Sequence, residues 1–372
     1  MKKYLIFAAA ALLALAACSK VTPVEQPDQA ITFQVVNHVQ RTKANTAFDI
    51  QKKFGTFGYW TATDWDTDGD ANKIFDNLPV KHDNGVWGFE TTQYWPKSGK
   101  ISFASYAPYV GDVDWLSYSK EGGFMFDGYV IADNADVDLM IADDENNKDC
   151  TKETNADGQT VISGTNTNNF TGVPTLFVHV LSQLNFQFQQ KRYNNESVTE
   201  DLSFITVKKV ELVSLYNEST FVLRGWESLD DQDPEAKGEA TYTVYDEEDG
   251  TVINKEPEVT EEQPNPTPDP TSLGDPKIVL PQILKSGDGV VGPQILKITY
   301  DITTKYVSNT TPQVQEDVVT SVNLGNGTLT QWLQNQNITY LVTISPYSDD
   351  PITFDPAVAP WAEDISGTIS VK

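Results

Sequence analysis

From Ile31 the chain alternates apolar and polar residues. Ile31, Phe33, Val35 and Val39 fall on one face, with Thr32, Gln34, His38 and Gln40 mostly on the other, the period-two signature of a half-buried strand. Strand-like runs follow at residues 56–62, 101–107 and 128–132, separated by clusters of Asn, Asp, Gly and Pro. Residues 143–170 are almost wholly polar and carry no strand signal, which predicts a junction between two bodies there.

A second β-rich half begins at Val173. Residues 175–181 lead into Leu184, Phe186 and Phe188 alternating with Asn185, Gln187 and Gln189, and runs at 204–215, 220–226, 294–302 and 338–345 continue the pattern. No long window shows a 3.6-residue apolar stripe, so helices are not expected. Short strands punctuated by turn signals predict an all-β protein of two sandwiches, covering residues 31–170 and 171–372. Within the second, residues 227–276 are acidic and Pro-rich and read as an exposed excursion with no core of its own. Pro281-Gln282-Ile283-Leu284-Lys285 recurs as Pro293-Gln294-Ile295-Leu296-Lys297, which predicts two adjacent strands around a Gly-rich turn.

The N-terminus has a different pattern. Lys2 and Lys3 precede an apolar run ending in Leu15-Ala16-Ala17-Cys18. That is the form of a secretory signal, too short to span a bilayer. The small residues before Cys18 match a bacterial lipobox, so residues 1–17 are expected to be removed and Cys18 acylated, anchoring the chain to a membrane. Residues 18–30 then form a tether. With Cys18 acylated, Cys150 has no disulfide partner, and no His nearby nominates it as a catalytic thiol.

Composition narrows the function. A net charge of −27 argues against nucleic acid, whose phosphate backbone needs clustered Lys and Arg. Three His and two Cys leave little material for transition-metal or thiol chemistry. His38, His82 and His179 show no ligand spacing, and His179, between Val178 and Val180, reads as a half-buried, hydrogen-bonded residue. Hydrolase, phosphate-loop and dinucleotide motifs are missing, so the chain is read as a non-enzyme.

Two candidate sites emerge. Asp64, Asp66, Asp68 and Asp70 alternate along a loop with Gly69, as hard-oxygen ligands for Ca²⁺ do. An EF-hand needs a Glu at the twelfth position, where Phe75 stands. A looser Ca²⁺ loop is therefore weighed against a solvated hairpin, and no other cofactor is expected. Aromatic residues gather in the first half, among them Tyr59, Trp65, Tyr94, Tyr106, Tyr109 and Tyr118. They serve either a sandwich core, the commoner use, or a platform for sugar rings.

Several segments taken together resemble the fimbrillin family, the type V pilus subunits of Bacteroidales, in its minor-fimbrillin-like branch. They are Tyr94-Trp95-Pro96, then Ile101-Ser102-Phe103-Ala104-Ser105-Tyr106-Ala107-Pro108-Tyr109, then Val137-Asp138-Leu139-Met140-Ile141-Ala142, and Val173-Pro174-Thr175-Leu176-Phe177-Val178-His179. Ile278-Val279-Leu280-Pro281-Gln282, residues 340–344, Ile352-Thr353-Phe354 and Trp361 complete the series in family order. The resemblance implies two transthyretin-like β-sandwich domains in tandem, outer-membrane delivery as a lipoprotein, and polymerisation with other fimbrial subunits at the cell surface. It further implies strand donation. A protease would cut after Arg41 or Lys43 and release the strand bearing Ile31, Phe33, Val35 and Val39. A neighbour's C-terminal strand, with Ile365, Thr368, Ile369 and Val371, would replace it. The Asp64–Asp70 loop and the acidic excursion look like additions to the family pattern, compatible with a tip adhesin. The rival expectation is an outer-membrane glycan-binding lipoprotein that does not polymerise; a surface glycan or protein is the further partner expected.

Overall fold

The computed structural model describes residues 30–36, 53–96, 98–148, 152–154, 160–162, 172–192, 203–229, 238–256, 269–287, 292–305, 311–347 and 352–361. Among these, the regular structure is β, with only short 3-10 turns at Glu227–Leu229 and Leu324–Asn326 beside it. The first strands are β1 (Thr32–Val36), β2 (Phe54–Thr61), β3 (Asn72–Asp83), β4 (Val86–Phe89) and β5 (Lys100–Ala107). Then come β6 (Leu116–Ser119), β7 (Gly123–Val130), β8 (Met140–Lys148), the small hairpin β9 (Lys152–Thr154) and β10 (Thr160–Ile162), and β11 (Val173–His179). Seven of them close a barrel in the order β1-β11-β8-β5-β2-β3-β4. Closure leaves no free sheet edge.

The second half contributes β12 (Ser182–Gln190), β13 (Ser203–Leu215), β14 (Glu218–Val222), β15 (Gly225–Trp226) and β16 (Ala240–Val252). Short strands follow: β17 (Thr271–Ser272), β18 (Lys277–Val279) and β19 (Gln282–Ile283). The last are β20 (Ile295–Thr304), β21 (Gln313–Asn323), β22 (Gln331–Trp332), β23 (Gln336–Ile344) and β24 (Thr353–Pro360). One sheet runs β17-β12-β23-β24 with β18 also on β12, and another runs β16-β13-β20-β21. Alternate residues of both, such as Leu184, Phe188, Val207, Leu212, Ile298 and Tyr340, enter one buried core, the arrangement that the period-two pattern requires.

Strands β2 and β5 are buried almost continuously rather than alternately. Both their faces are covered, as in a strand between two packed layers. Inward, Phe54, Ile101 and Phe103 fill the barrel. Outward, Phe57 and Tyr106 meet β6 and β7, with Phe57 at 5.8 Å from Tyr118 and Tyr106 at 6.2 Å from Phe124.

Strands β6 and β7 are not part of the barrel. They join β14 and β15 in one sheet, β15-β14-β7-β6, through pairs such as Ser219 with Tyr129 and Phe221 with Phe126. The two halves of the chain therefore share a sheet. In addition, β11 pairs with β1 and β8. By strand pairing the N-terminal body runs through His179 rather than ending at 170.

Three expectations need correction. The polar stretch from 143 does form strand, because β8 continues to Lys148 by pairing its backbone with β5, and ladder hydrogen bonds do not require apolar side chains. The acidic excursion contains β16, which pairs with β13 and buries Tyr242 and Val244, while Ile253 and Leu273 join the same core. The net acidity of this stretch masked a short alternating run. The repeated Pro-Gln-Ile-Leu-Lys segments are not ladder partners, since β19 pairs with β22 and β20 with β13 and β21. Their glutamines join them instead: Gln294 Nε2 donates to Gln282 Oε1 at 3.3 Å, and Lys285 N donates to Gln294 Oε1 at 3.0 Å.

Candidate functional site

Strand β1 closes the barrel. It lies antiparallel to β4 through Thr32 with Gly88 and Phe33 with Trp87. On its other side it runs parallel to β11, from Phe33 with Val173 to Val36 with Leu176. The predicted inward face is observed for the residues described. Ile31 and Phe33 are 2% and 3% exposed, and Val35 packs against the same cluster. Val39 lies outside the described residues.

Phe33 organises this slot. Its ring meets Phe54, Phe89 and Phe103 edge-on, at 5.5, 5.2 and 5.6 Å. Such pairs add about 0.5–1.5 kcal/mol beyond the area they bury. Before β1, Ile31 N donates to Gln93 O at 2.8 Å. At the head of β11, Gly172 has φ +117, and a Cβ there would fall 2.7 Å from the Phe33 carbonyl carbon. Only glycine lets the parallel strands converge so closely. The slot is thus an apolar, aromatic groove flanked by two strands and filled by a single short one.

The residues predicted to process and refill it, Cys18, Arg41, Lys43, Ile365, Thr368, Ile369 and Val371, lie outside the described residues, as does Cys150.

The aspartate loop is held by its own hydrogen bonds. Asp68 Oδ2 accepts from Ala62 N at 2.8 Å and Thr63 N at 3.3 Å, and Oδ1 accepts from Asp70 N at 3.0 Å. The backbone N–H groups of Asp70 and Thr63 hold the Asp68 carboxyl below its ordinary pKa. Asp64 is paired with Lys100. Among the described residues no three His, Cys, Asp or Glu side chains converge on one point. The alternation of Asp64, Asp66, Asp68 and Asp70 thus yields a capped turn, in which Asp68 does for the backbone what a cation ligand would do for a metal.

Most of the aromatic cluster is core: Tyr59, Trp65, Trp87, Trp95, Tyr106 and Tyr118 are all buried. Tyr94 is 52% exposed. His179 has its expected partner, with Nδ1 at 2.6 Å from Asp138 Oδ2.

The described residues thus form an all-β chain whose barrel is completed by one short strand. The chain belongs to the fimbrillin-like family, whose model matches residues 41–361. A fimbrial protein from Bacteroides vulgatus ATCC 8482 is similar in structure, with a TM-score of 0.53 and 21% identity over 90% of this chain and all of the other. A cell-adhesion candidate from Bacteroides uniformis ATCC 8492 aligns at 15% identity over 89% of this chain and 99% of its own, with a TM-score of 0.46. The tip fimbrial protein Mfa3 from Porphyromonas gingivalis aligns at 11% identity over 83% of this chain and 94% of its own, with a TM-score of 0.36. No curated protein matches this sequence.

Proposed function

We propose that this chain is a fimbrial subunit, exported as a lipoprotein acylated at Cys18 and assembled at the cell surface by strand exchange. Family membership supports the fimbrial role. The observation that carries the exchange step is the seating of Phe33 among Phe54, Phe89 and Phe103 by a strand that pairs through only two positions to β4 and four to β11. Cleavage after Arg41 or Lys43 would free β1. The aromatic groove left behind would expose both apolar surface and unpaired backbone, the two conditions that drive β-augmentation. A C-terminal strand from a neighbour, carrying Ile365, Thr368, Ile369 and Val371, would supply alternate apolar side chains in register.

N-terminal sequencing and mass spectrometry of the surface form test this reading. The expected result is a mature chain starting after Arg41 or Lys43, within a detergent-resistant ladder of polymers. A surface form that keeps residues 18–41 and shows no ladder would exclude exchange. A diacylated or triacylated Cys18 peptide in the precursor tests the anchor separately.

A further inference from the structure

The outer face of the barrel carries a pocket of about 460 Å³, lined by residues of β2, β3, β6 and the loop between β5 and β6. Its construction begins with a bulge. Thr56 of β2 pairs with Leu78, and Gly58 with Phe75, so Asp76 and Asn77 together oppose the single residue Phe57. An extra residue in one strand re-aims the side chains around it. Without the bulge, strict alternation from the inward-facing Phe75 would turn Asn77 back into the barrel. With it, both Asp76 and Asn77 line the pocket.

The bulge is held by a dedicated network. Asn77 sits at φ 49, a left-handed conformation that costs energy for a residue with a side chain. Its Oδ1 accepts from Tyr106 Oη at 2.7 Å, and its Nδ2 donates to Gly111 O in the β5–β6 loop. Gly55 makes room: a Cβ there would lie 2.2 Å from the Tyr106 ring. Both ends of the Asn77 amide are occupied, so Asn77 is scaffold. It ties the loop to β3 and thereby sets the opposite wall.

The groups left to face a ligand are mixed. Tyr109 supplies aromatic surface, the buried Phe57 forms part of the floor, and Asp112 and Ser117 stand on the far wall. Neither Asp112 nor Ser117 makes a side-chain hydrogen bond among the described residues. Lys73 Nζ pairs with Asp76 Oδ2 at 2.8 Å, leaving Oδ1 of that carboxylate to accept. An anionic ligand is opposed by Asp76, Asp112 and the chain's net charge of −27. A purely apolar one would desolvate these carboxylates without compensation. A cationic one finds Asp76 already neutralised by Lys73 and only Asp112 left unpaired among the described residues, and it offers Lys73 and Ser117 no acceptor. A neutral polyhydroxylated ligand uses everything present: its hydroxyls donate to Asp76 and Asp112, accept from Lys73 and Ser117, and its C–H face rests on an aromatic ring. The volume falls within the ordinary range of small-ligand sites, about 300–1,000 Å³.

We infer that this pocket binds a short neutral saccharide, gripped by Asp76, Asp112, Lys73 and Ser117 against Tyr109. The site lies on the barrel's outside, away from the β1 slot, so it does not depend on polymerisation.

The test uses the purified full chain on a glycan array, followed by calorimetry with whichever sugar is retained. Binding to a neutral oligosaccharide is expected, weakened at least tenfold in Asp112→Ala and in Tyr109→Ala. Asp114→Ala, on the same loop but outside the pocket lining, is expected to leave it unchanged. Asp112 is exposed, so its variant is expected to keep the parent's melting temperature and separates lost binding from lost fold. No retained glycan, a retained glycan whose affinity is indifferent to Asp112→Ala, or binding of a Lys-rich peptide in place of sugar would each overturn the inference. Such a failure would leave strand exchange untouched, because this assay needs no polymer.

Discussion

The imidazole of His179 lies flat on the indole of Trp361, with ring centroids 4.1 Å apart and planes 5° from parallel. The same imidazole holds Asp138 through Nδ1. Three distant segments meet here: the end of β11, the link between β7 and β8, and the residue following β24. Trp361 N also donates to Asn335 O at 2.9 Å, tying this corner to the start of β23.

His179→Ala removes the stack and strands a carboxylate whose Oδ1 is already buried without a partner among the described residues. A buried acceptor deprived of its hydrogen bond costs about 1–3 kcal/mol. Urea unfolding is expected to show a loss of that size. The double variant with Asp138→Ala is expected to lose less than the sum of the two single ones, since they share one interaction.

Phe33→Ala empties the centre of the barrel. A buried Phe→Ala change costs about 3–5 kcal/mol, so the unprocessed chain is expected to melt markedly lower. In the assembled polymer, where another strand would fill the slot, the same substitution is expected to have no effect. Equal destabilisation of both forms would show that β1 stays in place.

Asp68 sets an acid limit. Its folded carboxyl titrates below the ordinary value of 3.8. It therefore contributes stability above that value, and the contribution is lost as pH falls through the lower folded one. The stability difference between the parent and Asp68→Asn is expected at neutral pH and is expected to vanish under strong acid. With Asp68 bonded to three backbone N–H groups and Asp64 to Lys100, a CaCl₂ titration is expected to give no saturable heat. A heat that disappears in Asp66→Ala would instead show cation binding.

Tyrosines set an alkaline limit. Burial pushes Tyr106, Tyr242 and Tyr340 up to about 12, and Tyr129 further. Below the ordinary value of 10.0 their contribution is fully present, and it fades as pH rises toward about 12. Phenolate absorbance is expected to rise in two stages, exposed tyrosines first and these four only as the protein unfolds.

Alternation along the chain was enough to find β1, β2, β5, β12 and β13, because each buries side chains at period two or continuously. It could not find the polar end of β8, whose residues are held by backbone pairing alone. It missed β16 because Tyr242 and Val244 are a short apolar signal inside an acidic stretch. The sheet shared by β7 and β14 is a contact across some ninety residues of sequence, and no local pattern encodes such pairing. The pocket was invisible for a related reason. Tyr109 and Tyr118 belong to the aromatic cluster of the first half, but the bulge that turns Asp76 and Asn77 toward them is a mismatch in register between two strands. The aspartate loop shows the limit of spacing alone: carboxylates spaced for a cation also suit backbone capping, and Asp68 is engaged in the second way.

The sheet β15-β14-β7-β6 has a mechanical consequence. Two bodies joined by a single peptide linker would pivot freely, whereas here bending at the junction would require breaking ladder hydrogen bonds and parting the Phe126 and Phe221 rings, 5.5 Å apart. A filament built from such subunits would lack an internal hinge in each one. Its compliance would reside at the joints between subunits, and a pull on one end would reach the other with little slack.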